Sequence, residues 1–183
     1  METFGNPFIF VKPLKELKSS QIFAEADGEL LSSSSYDDND YLHTGVLEFN
    51  NAFFNYPETV TQVKKARLLL YNTSPFTEKI NLLLFTKPGD LLSTPPSAGN
   101  SFDFTGNFIA ENFQDGKGLE VTFDFVNTRA YDYLQICEVE VNKTIAQNEN
   151  SLQLYGVLVT NISNPFQFGT GGWVQVILDI EKC

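Results

Sequence analysis

Hydrophobic and polar residues alternate with a period of two in six segments of the chain. In the last of these segments, the even positions from 174 to 180 are all apolar, whereas Gln175 and Asp179 fall on the opposite face. A strand needs this period when one face of its sheet packs on a core and the other face meets water. The six segments are Val63–Tyr71, Lys79–Thr86, Glu120–Val126, Tyr133–Val141, Leu152–Thr160 and Trp173–Glu181.

Further strands are predicted nearer the N-terminus. Gly45–Phe49 continues the strand pattern, and Asp27-Gly28 is typical of a hairpin turn between strands at Ile22–Ala24 and Glu29–Leu31. No segment sustains a period of 3.6 residues over three helical turns, although Phe108–Phe113 could form one turn. The sequence therefore predicts an all-β fold, an antiparallel two-sheet β-sandwich of jelly-roll type, with long loops and an extended N-terminal arm.

Two strands have apolar residues on both faces. The runs at Leu68–Leu70 and Leu82–Phe85 are continuous, which predicts central strands that are covered on both sides. Lys87–Asn107 is a long insertion rich in Pro and Gly, and a loop of this length is usually functional or a flexible crossover.

The chain divides into an N-terminal arm, residues 1–19, and a single β-sandwich domain, residues 20–183. Pro7 and Pro13 disfavour both a helix and a central strand in the arm. Its apolar residues need a surface to pack on, which could be the arm's own domain, a neighbouring subunit or a larger assembly. We predict that they form an assembly interface, and they are Phe4, Phe8, Ile9, Phe10 and Val11.

Composition excludes several classes of function. The 183 residues include 17 Phe and 7 Tyr, enough to build a packed core, and the net charge is −11. Nucleic acids and anionic membranes require clustered cations, and the cluster Lys64, Lys65 and Arg67 is more simply the solvated start of a strand. The apolar run Phe8–Val11 is too short for a signal peptide or a membrane span, so we expect synthesis in a cytosol.

Neither a catalytic nor a cofactor site is predicted. His43 is the single histidine, and no GxSxG motif accompanies it. The two cysteines, Cys137 and Cys183, are expected to be unpaired, with Cys137 a small buried hydrophobic residue, and they offer no zinc spacing. We therefore expect a protein that is not an enzyme and that needs no metal or cofactor.

Two groups of acidic residues leave alternatives open. Asp37, Asp38, Asn39 and Asp40 could supply oxygen ligands to calcium, but a solvated acidic loop is the simpler interpretation. Acidic residues in the strands could act as a glycosidase pair, although alternation alone places them outward. These strand residues are Asp124, Glu138, Glu140 and Asp179.

Aromatic residues could instead form a surface on which a sugar stacks. Tyrosines and tryptophan are equally common in the core and the interfaces of a β-sandwich, so both interpretations remain. The candidates for such a surface are Tyr36, Tyr41, Tyr56, Tyr131, Tyr133 and Trp173.

Three stretches resemble, in order, a pattern found among bacteriophage virion accessory proteins. They are VKKARLLLYNTSPFTEKINLLLFTKPGD, LQLYGVLVTN and GGWVQVILDIEK, which begin at Val63, Leu152 and Gly171. The resemblance implies a small β-sandwich that decorates a capsid or serves as another non-enzymatic structural part of a phage particle. We accordingly expect a virion protein that forms a homo-oligomer and binds a capsid surface, with a carbohydrate-binding module or receptor-binding fibre head as the alternative.

Overall fold

A computed structural model of the chain describes residues 21–30, 35–50, 52, 60–86, 97–102, 113, 116–147 and 153–182. The regular elements in these ranges are β-strands, and every pairing between them is antiparallel. The strands are β1 (Gln21–Glu29), β2 (Ser35–Tyr36), β3 (Leu47–Phe49), β4 (Val60–Tyr71), β5 (Lys79–Phe85), β6 (Gly118–Asp124), β7 (Ala130–Tyr131), β8 (Leu134–Ala146), β9 (Leu154–Asn161), β10 (Phe166–Gln167) and β11 (Trp173–Lys182). The predicted all-β, antiparallel fold is confirmed.

Two sheets contain all the longer strands. The five-stranded sheet has the order β1-β11-β4-β8-β7, and the four-stranded sheet has the order β3-β9-β5-β6. If the eight strands of three or more residues are renumbered in chain order, these orders become 1-8-3-6 and 2-7-4-5. This arrangement of two Greek keys is the jelly roll that the strand spacing predicted.

The core lies between the inner faces of the two sheets. In β11, Val174, Val176, Leu178 and Ile180 are all fully buried, as their alternation predicts. They belong to the same apolar cluster as residues of β5 and β6 from the opposite sheet. Each such side chain contributes about 1.5–3 kcal/mol by leaving water, so the period-two pattern determines which face of a strand points inward.

The outer faces of the two sheets differ. On the four-stranded sheet, Leu83 and Phe85 are buried beneath Tyr41 and Phe102, whose rings meet edge to face at 5.0 Å. Coverage of Leu82–Phe85 on both sides is therefore confirmed. In the five-stranded sheet Leu68 and Leu70 face the core, but Leu69 is half-buried on the outer face. The prediction of coverage on both sides is thus wrong for β4 within the described residues.

The predicted hairpin at Asp27-Gly28 is also wrong. β1 runs through both residues without a turn, and Gly28 pairs with Val174 of β11. A Cβ atom at Gly28 would lie 3.0 Å from Cβ and Cγ of His43, so this glycine allows a close approach of two segments. Asp-Gly favours a turn locally, but nine paired residues of β11 outweigh that preference.

Other predictions fall partly or wholly outside the described residues. These are the arm 1–19 with Phe4, Phe8, Ile9, Phe10 and Val11, residues 108–112 of the predicted helical turn, and Cys183. Of the long loop Lys87–Asn107, residues 97–102 are described, and there Phe102 packs against the outer face of the four-stranded sheet. The two-residue strands β2, β7 and β10 were not predicted, because such short ladders have no periodicity.

Candidate functional site

His43 is a core residue. It is 2% exposed, and its Nε2 accepts a hydrogen bond from the backbone N–H of Leu158 at 3.3 Å. Burial lowers the pKa of His43 to about 4, because a charged imidazole would lose its hydration there. The imidazole is therefore neutral at pH 7, with one nitrogen satisfied by β9. This geometry gives His43 a structural role.

The acidic loop Asp37–Asp40 is tied to the sandwich by hydrogen bonds. Asp40 is 4% exposed, and its carboxylate accepts hydrogen bonds from the N–H of Asp37 at 2.7 Å and from the hydroxyl of Ser101 at 3.3 Å. The Asp38 carboxylate accepts a bond from the N–H of Ile162 at 3.1 Å. Asp40 thus departs from the predicted solvated loop. Within the described residues, no group of three His, Cys, Asp or Glu side chains is placed to hold a metal.

The basic residues of β4 are paired with acids on the outer face of the five-stranded sheet. Lys65 Nζ lies 2.6 Å from Glu140 and 3.2 Å from Glu138, while Arg67 Nε donates to Glu138 at 3.0 Å. Hydrogen bonds from Arg67 and Lys65 lower the pKa of Glu138. Lys64 forms a further pair with Glu181 at 3.0 Å. These cations are neutralised within the chain, so they do not form a phosphate-binding surface.

Three of the four strand acids are in ion pairs with cations. Glu138, Glu140 and Asp124 are exposed, as alternation predicts, and Asp179 is half-buried on the outer face of β11. Glu138 and Glu140 share Lys65 as a partner, and Asp124 lies 3.6 Å from Lys79. Two carboxylates that act on a glycosidic bond must face each other across a cleft. Asp124 and Glu138 line one groove that is open to solvent, but each of these carboxylates is already in an ion pair.

Only some of the candidate surface aromatic residues are exposed. Tyr36 and Tyr41 are buried at 0% and 7% exposure, so for these two candidates the alternative of a core position holds, and Tyr56 lies outside the described residues. Tyr131, Tyr133 and Trp173 are exposed at 62%, 54% and 38%. Sequence alone gives residue type but not burial, which is why core and surface tyrosines could not be separated.

The three exposed aromatic residues lie at one end of the five-stranded sheet, where the rings of Trp173 and Tyr133 both contact Tyr71 and where Tyr131 lies on the neighbouring β7. The Trp173 ring is parallel to the Tyr71 ring at a centroid distance of 5.8 Å, and Tyr133 meets Tyr71 edge to face at 6.2 Å. The guanidinium of Arg129 lies 5.5 Å from the centroid of Tyr131. We call Leu69, Tyr71, Tyr131, Tyr133, Ile136 and Trp173 the aromatic patch.

Tyr71 and Leu69 are the residues that sequence reasoning missed. A signal was available, because both occupy positions of β4 where alternation predicts polar residues. The same is true of Ile136 in β8, which is 42% exposed. Apolar side chains in neighbouring outward positions of three strands form a continuous apolar surface only when the register brings them together. β4, β8 and β11 have that register.

Tyr133 has a strained backbone. With Asp132 it forms the two-residue turn between β7 and β8, and the φ angles are 46° for Asp132 and 78° for Tyr133. Asn-Gly or Asp-Gly is preferred in a two-residue turn with two positive φ angles, so a tyrosine at the second position is unfavourable. The carbonyl of Tyr133 accepts a hydrogen bond from the N–H of Asn72 at 2.9 Å. Strain of this kind is often retained at functional sites.

Two grooves border the aromatic patch. One, of about 350 Å³, is lined by Asp27, Trp173, Val174 and Gln175. The other, of about 500 Å³, lies beside Arg129 and includes Cys137. Cys137 is buried, which raises the pKa of its thiol, and the predicted small buried hydrophobic residue is confirmed. Each groove is open to solvent and combines aromatic and charged side chains.

Comparison with known proteins gives weak similarities to virus structures. The empty head of turnip yellow mosaic virus aligns with a TM-score of 0.29 and 8% identity, over 98% of this chain and 84% of that chain. Desmodium yellow mottle tymovirus aligns with a TM-score of 0.27 and 9% identity, over 88% of this chain and 85% of that chain. No family model and no curated protein matches the chain. Among the described residues, no helix has the length and apolar character needed to cross a membrane.

Proposed function

We propose that the chain is a non-enzymatic structural protein of a virus particle and that it binds other protein subunits through the aromatic patch. The observation behind the proposal is the difference between the two outer faces. The four-stranded sheet buries its outer apolar residues under Tyr41 and Phe102, while Trp173 and Ile136 on the other sheet are 38% and 42% exposed. Contiguous exposed apolar surface on a folded protein marks an interaction site more often than isolated apolar residues do.

The jelly roll supports a role in a particle because viral capsid domains, like lectins, often use this architecture. Fold alone does not determine function, so the proposal rests on the exposed apolar face of the five-stranded sheet. Within the particle, we propose the role of a capsid decoration or auxiliary protein of a bacteriophage, as the sequence resemblance implies. We also retain the proposal that the arm residues Phe4, Phe8, Ile9, Phe10 and Val11 contribute to assembly.

The proposal is tested by polar substitutions in the aromatic patch. Leu69→Ser and Ile136→Ser each place a hydroxyl on the outer face without changing charge, and both positions are at the surface. We expect them to reduce binding to purified particles in co-sedimentation, because apolar area no longer leaves water on binding. Val126→Ser is the matched control, since Val126 is 54% exposed but lies outside the patch. Equal binding by all three variants would contradict the proposal.

A second candidate function is recognition of a glycan. The groove beside Trp173 has an indole ring on one wall, with the carboxylate of Asp27 and the amide of Gln175 nearby. A sugar can stack its C–H face on such a ring while its hydroxyl groups bond to polar neighbours. A glycan array probed with wild type and Trp173→Ala tests this candidate. Specific binding that the substitution abolishes would support recognition of a glycan.

A further inference from the structure

We infer that the aromatic patch is self-complementary and pairs two copies of this chain face to face, about a two-fold axis parallel to the strands. The inference rests on the proposed function, because it names the partner that covers the exposed face. It depends on how charge is distributed across the outer face of the five-stranded sheet.

Cross-strand pairing orders the outward residues in and beside the patch into two rows that run from β1 to β7. Row one begins with an acid and ends beside a cation, with aromatic and apolar residues between them. Row two has the same polarity, because Arg129 directly precedes β7 and lines one groove together with Ile136. Row one is Glu29, Trp173, Tyr71, Leu134 and Tyr131, and row two is Asp27, Gln175, Leu69, Ile136 and Arg129.

The charges at both ends of the rows are available to a partner. Asp27, Glu29 and Arg129 are exposed, and among the described residues none of the three forms an ion pair. Among the described residues, the guanidinium of Arg129 has one cation–ring contact, which is with Tyr131. The next cations along the outer face, Lys65 and Arg67, are already paired with acids. The patch therefore has an unpaired negative side and an unpaired positive side.

This polarity selects the symmetry of the pair. Two sheets that meet face to face are related by an axis lying in the plane between them. An axis parallel to the strands and above β4, the central strand, exchanges the β1 side with the β7 side. Asp27 and Glu29 of each copy then lie opposite Arg129 of the other, twice by symmetry. An axis along the rows would place Asp27 opposite Asp27, which like-charge repulsion disfavours.

The size of the patch predicts a weak pair in solution. Five strands spaced about 4.8 Å apart make each row roughly 19 Å long, and the patch extends over a few residues of each strand. Its footprint is therefore on the order of 400 Å² per copy, about 800 Å² in total, which is below the size of a stable interface and in the range of weak, transient contacts. We expect a dissociation constant between about 10 μM and 1 mM. Many copies held on one particle would raise the effective concentration above this range.

Reversal of the charges at the two ends of the rows tests the proposed two-fold pair. Sedimentation velocity is measured on the full chain, up to millimolar concentration, for wild type, Arg129→Glu and the double variant Asp27→Lys/Glu29→Lys. Each variant places like charges opposite each other, so we expect its self-association to weaken about tenfold or more. A mixture of the two variants should associate as a one-to-one heterodimer, since both contact points then join opposite charges. The triple variant Asp27→Lys/Glu29→Lys/Arg129→Glu should recover self-association.

Specific results would overturn the inference. If wild type stays monomeric to millimolar concentration, or if the mixture and the triple variant do not recover association, the two copies do not meet in this way. Glu48→Gln/Glu120→Gln is the control for net charge, because both glutamates are exposed and lie in the other sheet. It must associate as wild type does. If the patch variants Leu69→Ser and Ile136→Ser still lose particle binding, the proposed function stands with another partner, and the self-pairing alone fails.

Discussion

Replacement of Tyr133 by glycine separates the role of this side chain in folding from its role in binding. Tyr133 has φ of 78°, a conformation that costs a residue with a Cβ atom roughly 1–2 kcal/mol and costs glycine almost nothing. Glycine, however, lowers the free energy of unfolding by about 0.5–1 kcal/mol, because it gives the unfolded chain more conformational entropy. It also loses the edge contact with Tyr71, which is worth about 0.5 kcal/mol at a half-exposed site.

These opposing terms leave Tyr133→Gly within about 1 kcal/mol of wild type in free energy of unfolding. Tyr133→Ala is the informative comparison, because it removes the same ring but keeps the strained backbone. We expect the glycine variant to be more stable than the alanine variant by about 1 kcal/mol, or about 2–4 °C in melting temperature. Urea unfolding followed by circular dichroism measures both. An alanine variant that is at least as stable as the glycine variant would refute the strain argument.

Binding should respond differently from stability. Both variants remove an exposed ring of the aromatic patch, so we expect both to weaken particle binding to the same extent. A residue kept only for folding would give the opposite pattern, with the more stable glycine variant binding as wild type does. Co-sedimentation of the two variants with particles therefore distinguishes a recognition residue from a structural one.

Three further predictions concern the core, the loops and metal dependence. Between pH 6.5 and about 4, His43 binds a proton in the unfolded state but not in the folded state, so the free energy of unfolding should fall by about 3 kcal/mol as the pH falls through this window. His43→Gln should show a flatter dependence of this free energy on pH in urea unfolding. A pH dependence that is the same as in wild type would contradict the burial of His43 as its cause. A Cβ atom at Gly169 would lie 1.8 Å from Thr73 Oγ1, so Gly169→Ala should lower the free energy of unfolding by about 2 kcal/mol. Thr73→Ala should restore part of this loss, which thermal unfolding of the single and double variants measures. A chelator should leave the melting temperature unchanged; a decrease of about 10 °C would instead indicate a bound cation.

Much of the fold follows from the period-two pattern because each half-buried strand must turn its apolar side inward. β11 illustrates this, since its even positions are buried. The pattern does not specify strand partners, and so Asp27-Gly28 was interpreted as a turn although pairing with β11 makes it part of a straight strand. A local preference of about 1 kcal/mol is smaller than the contribution of a long ladder and the core beneath it.

The candidate site was harder to predict than the fold because it depends on register. Tyr131, Tyr133 and Trp173 were identified as candidate surface residues, but nothing in the sequence separated them from the buried Tyr36 and Tyr41. Tyr71 and Trp173 are about a hundred positions apart and become neighbours only when β4 pairs with β11. The polarity of the two rows is a product of the same pairing, since the acids come from β1 and Arg129 directly precedes β7.

The ion pairs of β4 and β8 limit where a partner can lie on the outer face. Arg67 and Glu138 occupy the row next to Leu69 and Ile136, and the following row contains Lys65 and Glu140. Covering these charges would remove their water, and desolvation of an ion pair can outweigh the attraction between its partners. A partner that lay further along the strands, away from the aromatic patch, would lose apolar contacts and would also have to desolvate these ion pairs. We therefore expect a docked subunit to lie over the two rows that end in Asp27, Glu29 and Arg129.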